Sequence, residues 1–347
     1  MFPILPSKRS GVILEGWRWL YRCYAVILLF LSLSLTGCAP DYSTTAGPDG
    51  VIHLTLWQGI NPPANREVLR SLVERFNQTH PQIQVEPLYV GQPDQQMPKI
   101  LAAVVGNAVP DLLWFNPNLT GQLVELNAIR PLDDWLATSP AGQQIDPVLR
   151  EAMQLRDHIW SVPFGTNNVG VFYHPQMFQA AGITQLPQTW AELRQVARTL
   201  TRDTDGDRRV DQHGILLSLG KGEFTVFTWL PFLWSAGGEI VSDPSEGKIN
   251  IVQPGAIAAL QLWRDLIQDG SAILSLPERG FELDQFLAGK VAMQLSGPWT
   301  LGQLQHGEDF GVFPIPAAQQ PATALGGENL FVFKTTPERE RAALVFT

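Results

Sequence analysis

The chain has 347 residues, 45% hydrophobic and 16% charged, with a formal net charge of −9. That length suits two domains of ordinary size, and this composition excludes disorder as the default. The negative balance, with no Lys/Arg stripe to offset it, disfavours a nucleic-acid groove, and two Cys, Cys23 and Cys38, exclude a disulfide framework or cysteine metal site in the body.

The amino terminus reads as an address. Lys8, Arg9, Arg18 and Arg22 form a basic leader, and Ala25 to Leu35 is an apolar run too short for a typical membrane span. It leads into Leu35-Thr36-Gly37-Cys38, which resembles a bacterial lipobox. The resemblance implies a lipoprotein signal peptide over 1–37, with Cys38 lipidated as the first mature residue. Several acyl chains on one Cys anchor stably. Residues 38–50, rich in Gly, Pro, Ser and Thr, read as a tether.

Ile52, Leu54 and Leu56 alternate with His53, Thr55 and Trp57, which predicts a first strand ending at Gln58-Gly59. Asn65 is placed to cap a helix whose Val68, Leu69, Leu72, Val73 and Phe76 share one face. Pro81 ends it, and Ile83 and Val85 begin a second strand. Met97, Ile100, Leu101, Val104 and Val105 mark another helix, and Asp111 to Asn116 a third strand with a polar tip. This alternation predicts a doubly wound α/β domain. Ile159 to Val171 reads as an extended crossing into a second domain of the same style. There Thr189-Trp-Ala-Glu192 is a capping box, and Pro254 starts a helix that Gly270 stops. A short amphipathic segment (Phe281, Leu283, Phe286, Leu287) ends at Gly289. Val291, Met293 and Leu295 then alternate as a strand with one apolar face, running into Ser296-Gly297-Pro298-Trp299. Phe310 to Pro316 and Leu325 to Phe333 read as two more strands. A last helix begins after Pro337. Eleven Trp is high for this length and favours a protein that grips flat or ring-shaped ligands.

Val171-Phe-Tyr-His-Pro-Gln-Met-Phe-Gln-Ala-Ala-Gly182, followed by Pro187-Gln-Thr-Trp-Ala-Glu-Leu193, resembles a segment of the family 1 extracellular solute-binding proteins, the maltose-binding-like receptors of bacterial ABC importers. Further matches fall in order: Phe76-Asn-Gln-Thr-His-Pro81, Pro110-Asp111, Ala236-Gly-Gly238, Phe286 to Met293, Gly297-Pro-Trp299 and Gly326-Gly327. Each is short; the ordered set together with the lipobox is specific. The resemblance implies a two-lobe periplasmic-binding-protein fold (type II), each lobe a β-sheet flanked by helices. It places lobe 1 at 51–163, with 324–347 returning to it, and lobe 2 at 164–323. The implied protein is a monomeric, lipid-anchored receptor in the cell envelope that takes no cofactor. It closes on a carbohydrate by hinge motion and presents it to ABC permease subunits. A receptor for a polyol or glycerol-phosphate type of solute is the alternative. Members of the family run on beyond the point where this chain stops, so it also reads as truncated at its C-terminus, and a binding-defective fragment is a further alternative.

A sugar presents hydroxyl edges and apolar C–H faces, so its site needs flat rings and fixed polar groups. Trp299 resembles the family's stacking residue, with core packing as its other reading. Gln58 and Asn116 lie at the ends of the first and third strands, facing the expected cleft or capping loops. Phe164, Asn167 and Asn168 sit in the crossing. Glu223 to Trp229 resembles a second-lobe segment that supplies a polar group and a ring, which adds Glu223, Trp229 and Trp234. Gly327, Glu328 and Asn329 stand where the chain recrosses, as ligand contacts or as hinge geometry.

Asp203, Asp205, Asp207 and Asp211 offer carboxylates at the spacing of a Ca²⁺ loop. Arg208 stands where such a loop turns on Gly, and Gly214 holds the twelfth place instead of Glu, so a surface turn that binds nothing is the favoured reading. An enzyme is disfavoured. There is no Gly-x-Ser-x-Gly elbow, Gly214 to Lys221 lacks phosphate-loop spacing, and the six His show no zinc pairing.

Overall fold

The computed structural model describes residues 47, 50–220, 222–243, 247–275, 283–304 and 309–347. The leader, Cys38, nearly all of the tether and Phe281 lie outside them. Ten strands build two sheets: β1 (Ile52–Gln58), β2 (Ile83–Tyr89), β3 (Leu112–Phe115), β4 (Val162–Asn168), β5 (Gly170–Tyr173), β6 (His213–Leu217), β7 (Ala272–Leu274), β8 (Val291–Ser296), β9 (Gly311–Phe313) and β10 (Leu325–Val332). The longer helices are α1 (Pro63–Thr79), α2 (Pro93–Val105), α3 (Trp190–Leu200), α4 (Glu223–Ser235), α5 (Pro254–Gln268) and α6 (Pro337–Phe346).

The first sheet runs β2-β1-β3-β10-β4 and the second β7-β6-β8-β5-β9. Each has three parallel strands followed by two antiparallel neighbours. The apolar alternation of β1 buries its Leu54–Leu56 face. Leu54 and Leu56 enter a cluster with Leu69, Val73 and Ala343 beneath α1 and α6. On the opposite face Leu113, Phe115 and Phe331 pack with Ile100 of α2. The second sheet has its own clusters, one joining Ile215 and Leu217 to Leu193 and Leu266, the other joining Phe172 and Leu216 to Phe286. The chain thus folds into two α/β lobes.

The local signals are realised with two differences. Thr189 and Glu192 form the reciprocal capping box, and Gly270 and Gly289 take positive φ after their helices (70° and 67°). Asn65 does not cap α1. That helix starts at Pro63, because Pro62 and Pro63 already hold the extended-then-helical backbone of a helix entry, and Asn65 instead lies within its first turn. The strand β8 is buried on both faces, Ala292 and Gln294 included. A strand flanked on both sides in the sheet and covered by clusters on both faces has no polar side.

The two sheets are joined by a ribbon. Residues Asn329 to Val332 of β10 pair with β3, whereas Leu325 to Glu328 pair only with β4. The ribbon therefore projects past the first sheet. At its far end Val169 and Ala324 are both buried in the core of the second lobe, and Thr323 Oγ1 donates to the Val169 carbonyl (2.9 Å). Gly327 makes this pairing workable. Its φ is +141°, and a Cβ there would stand 2.2 Å from the Gly165 carbonyl oxygen.

Candidate functional site

Three predicted site residues meet at the seam between the lobes. Asn116 follows β3, and its Oδ1 accepts the Asn118 amide (3.2 Å), which frees its amide group to face outward. Asn116 Nδ2 donates to both carboxylate oxygens of Glu223 (2.9 and 3.0 Å), and Asn118 Nδ2 donates to Oε2 (3.2 Å). Glu223 is the first residue of α4, so its negative charge sits at the positive end of the helix. Glu328, on the ribbon, is the third. Burial, and after it the nearby Glu223 carboxylate, pushes the Glu328 carboxyl up to about 7.

Trp299 stands beside them at the end of β8. It is half-buried against the second-lobe core, and its indole folds back over Gly297, where a Cβ would come within 2.2 Å of the ring. Phe224 meets it edge-on at 6.0 Å between centroids and Phe227 at 6.4 Å. Its carbonyl accepts from Asn65 Nδ2 of the first lobe (3.3 Å), a second polar tie across the seam. Its indole N–H is buried without a protein acceptor. Gly326 closes the arrangement, because any Cβ would strike both Asn167 Oδ1 and the Phe227 ring at 2.7 Å.

The other predicted residues stand apart from this group or serve the scaffold. Gln58 is buried, and its Oε1 accepts the Ile60 amide (2.8 Å), bracing the turn after β1. Asn329 is buried and donates to Ser161 Oγ (2.8 Å) inside the first lobe. Asn167 lies on the ribbon opposite Gly326, Asn168 opposite Leu325, and Phe164 is exposed. Trp229 and Trp234 pack against the second-lobe core. Asp203, Asp205 and Asp211 hold carboxylate oxygens within 4.8 Å of one another on an exposed loop. Asp203 accepts the amides of Gly206 and Arg208, and Asp207 accepts that of Arg209. These are turn-closing bonds of the kind Asp makes in loops.

Asn65, Asn118, Phe224 and Phe227 were missed in the sequence. For the two Phe a signal existed. Helical spacing puts Glu223, Phe224 and Phe227 on one side of α4, while Trp229 turns away from it and Trp234 lies three turns further along. For the two Asn there was none, because their partners are 105 and 234 residues away.

Residues 62–347 match the bacterial extracellular solute-binding protein family. Among curated relatives, the chain is 23% identical over 301 residues to a maltotriose-binding protein of Pyrococcus abyssi, covering 84% of this chain and 61% of that protein. It is 22% identical over 335 residues to the sn-glycerol-3-phosphate-binding periplasmic protein UgpB of Shigella flexneri, covering 90% and 70%. The chain thus spans about three-fifths of the maltotriose-binding relative's length. An ABC transporter solute-binding protein from Thermotoga lettingae, bound with α-D-tagatose, superposes with a TM-score of 0.74 at 24% identity, covering 85% of this chain and 76% of that one. The maltose/maltodextrin-binding domain of Bdellovibrio bacteriovorus, bound to maltotriose, gives 0.73 at 21%, covering 85% and 75%. These structures share the two-lobe fold with this chain. No helix among the described residues is long and apolar enough to cross a membrane. By the extent of the family match, the chain belongs to the bacterial extracellular solute-binding proteins.

Proposed function

We propose that this protein captures a neutral carbohydrate at the seam between its lobes and delivers it to an ABC importer. The observation that carries the reading is the pairing of a ring with polar groups: Trp299, buttressed by Phe224 and Phe227, beside Glu223, Asn116 and Asn118. A ring face suits sugar C–H groups and the carboxylate suits hydroxyl donors. Trp299, Asn116, Glu223 and Glu328 are the contacts we assign to the solute. Gln58, Phe164, Asn167, Asn168, Trp229, Trp234, Gly327 and Asn329 support the walls and the hinge. The ribbon of β4 and β10 is the hinge on which 51–163 with 324–347 closes against 164–323. The receptor acts as a monomer, tethered by a lipid on Cys38 outside the cytoplasmic membrane and engaging permease subunits there. The motif Leu35-Thr36-Gly37-Cys38 supports the anchor.

The UgpB relatives favour a second reading, a glycerol-phosphate solute. A phosphate at this seam would meet the Glu223 carboxylate, which argues for the neutral sugar. Thermal melting with maltotriose and with sn-glycerol 3-phosphate separates the two. A ligand at a hundred times its Kd stabilises the fold by about 2.7 kcal/mol. We expect a saturable rise with maltotriose; a rise with the phosphate alone would reverse the choice.

A further inference from the structure

Away from the residues of the seam, the first lobe holds a guanidinium without a counter-charge. Arg66 lies in the first turn of α1 and is half-buried. Its Nε donates to the Ile60 carbonyl (2.7 Å) and its Nη2 to Asn61 Oδ1 (3.1 Å). Both acceptors are neutral, and together they fill the side edge of the planar fork. Its Cζ stands 3.5 Å from the centre of the Tyr89 ring, so the plane of the fork is fixed as well. No carboxylate among the described residues pairs with Arg66; Glu67, the next residue of α1, pairs with Arg70 instead. The end edge of the fork, formed by Nη1 and the outer N–H of Nη2, is left open. Holding a long side chain still costs rotamer freedom, and here that cost leaves a positioned charge unanswered.

A second cation stands at the same corner. Lys99 Nζ donates to the carbonyl of Val90 (2.7 Å), the residue after Tyr89, and it too has no carboxylate partner among the described residues. Gln58 and Tyr89 end the parallel strands β1 and β2 side by side, at the end of the sheet where open α/β folds take ligands. Asn116 follows β3 at that same end, and β2 lies two strand spacings from β3, about 10 Å.

We propose that Arg66, stacked on Tyr89 with Lys99 beside it, is an oxyanion site of the first lobe: the open edge of its fork takes the carboxylate or phosphate group of a small anionic solute. A planar fork meets either group with two parallel hydrogen bonds. The Tyr89 ring keeps the fork flat and in place, and Lys99 adds a second positive charge on the same side. The site needs no ring at Trp299 and does not rest on the carbohydrate reading, so a failure of maltotriose to bind leaves it standing.

Calorimetric titration of the full chain at low salt tests this with two pairs of probes: D-glucuronate against D-glucose, and sn-glycerol 3-phosphate against glycerol. Each pair differs by its anionic group, so the first reads a carboxylate and the second a phosphate. We expect the anion of at least one pair to bind more tightly than its neutral parent by about tenfold or more, and that advantage to shrink as salt is raised. Arg66→Gln removes the advantage. Arg66→Lys, which keeps the charge without the fork, recovers part of it. Tyr89→Leu, at an exposed position of the edge strand β2, weakens the anion while leaving the fold intact, which keeps the test decisive should Arg66→Gln melt early. The inference falls if anion and neutral parent bind alike, if none of the four binds, or if the advantage survives either Arg66→Gln or Tyr89→Leu undiminished.

Discussion

Replacing Glu223 by Gln tests the seam at its centre. The carboxylate receives donors from Asn116 and Asn118, which are held together by the Asn118 amide on Asn116 Oδ1. A Gln keeps one acceptor oxygen and turns an NH₂ group toward the second donor. A hydrogen bond to a charged partner contributes about 1.5 kcal/mol or more. Losing one and weakening the other costs about 2 kcal/mol of closure, roughly 30-fold in Kd. The same change also removes the like charge facing Glu328. At pH 6 Glu328 is largely protonated and gains nothing from that, so the full loss appears. At pH 8 relief of the repulsion offsets part of it. Calorimetric titration with maltotriose at both pH values reads this directly, and small-angle scattering reports whether the lobes spend more time apart. Equal affinity of wild type and Glu223→Gln at pH 6 would refute the seam as the binding locus.

Other changes probe separate links. Trp299→Ala should weaken maltotriose binding at least tenfold, about 1.4 kcal/mol, with the melting temperature measured alongside; unchanged affinity would assign the ring to packing. Gly327→Ala places a Cβ 2.2 Å from the Gly165 carbonyl at φ +141°, so it should cost about 3 kcal/mol in urea denaturation through backbone strain and lost ribbon pairing. Arg339→Ala strips a bidentate partner from Asp111, which is 2% exposed and also accepts the Thr55 amide. Leaving that carboxylate unpaired should cost about 3–5 kcal/mol, and a loss below 1 kcal/mol would show that α6 is docked by apolar contacts alone. Arg194 and Arg198 hold the Asp269 carboxyl well below its ordinary range. A lowered group stabilises the fold above its unfolded pKa, and that contribution is lost as pH falls below 3.8. Asp269→Asn should therefore flatten the acid limb of a melting-temperature profile.

Much of the fold was legible because its signals are local. Alternation in β1, the capping box at Thr189 and the stop glycines at 270 and 289 each depend on neighbours within a few residues. The excess of Trp was legible in composition, but composition does not say which ring stands where. Every Trp from Trp57 to Trp299 lies in or against a hydrophobic cluster, so the rings pack cores, and Trp299 also ties to Asn65 across the seam. Helix periodicity on α4 could have chosen Phe224 and Phe227 over Trp229. The closure of Asn116 and Asn118 on Glu223 could not be read, since it depends on how two sheets are set against each other by the ribbon. Residues of one type can also take opposite roles. Asn116 faces the seam, while Asn329 is buried on Ser161.

Calorimetric titration of the folded chain with maltotriose tests the central claim most directly. We predict saturable binding near the micromolar range, about −8 kcal/mol, weakened at least tenfold in Trp299→Ala. A folded sample that gives no heat with maltotriose or any other neutral carbohydrate would contradict it.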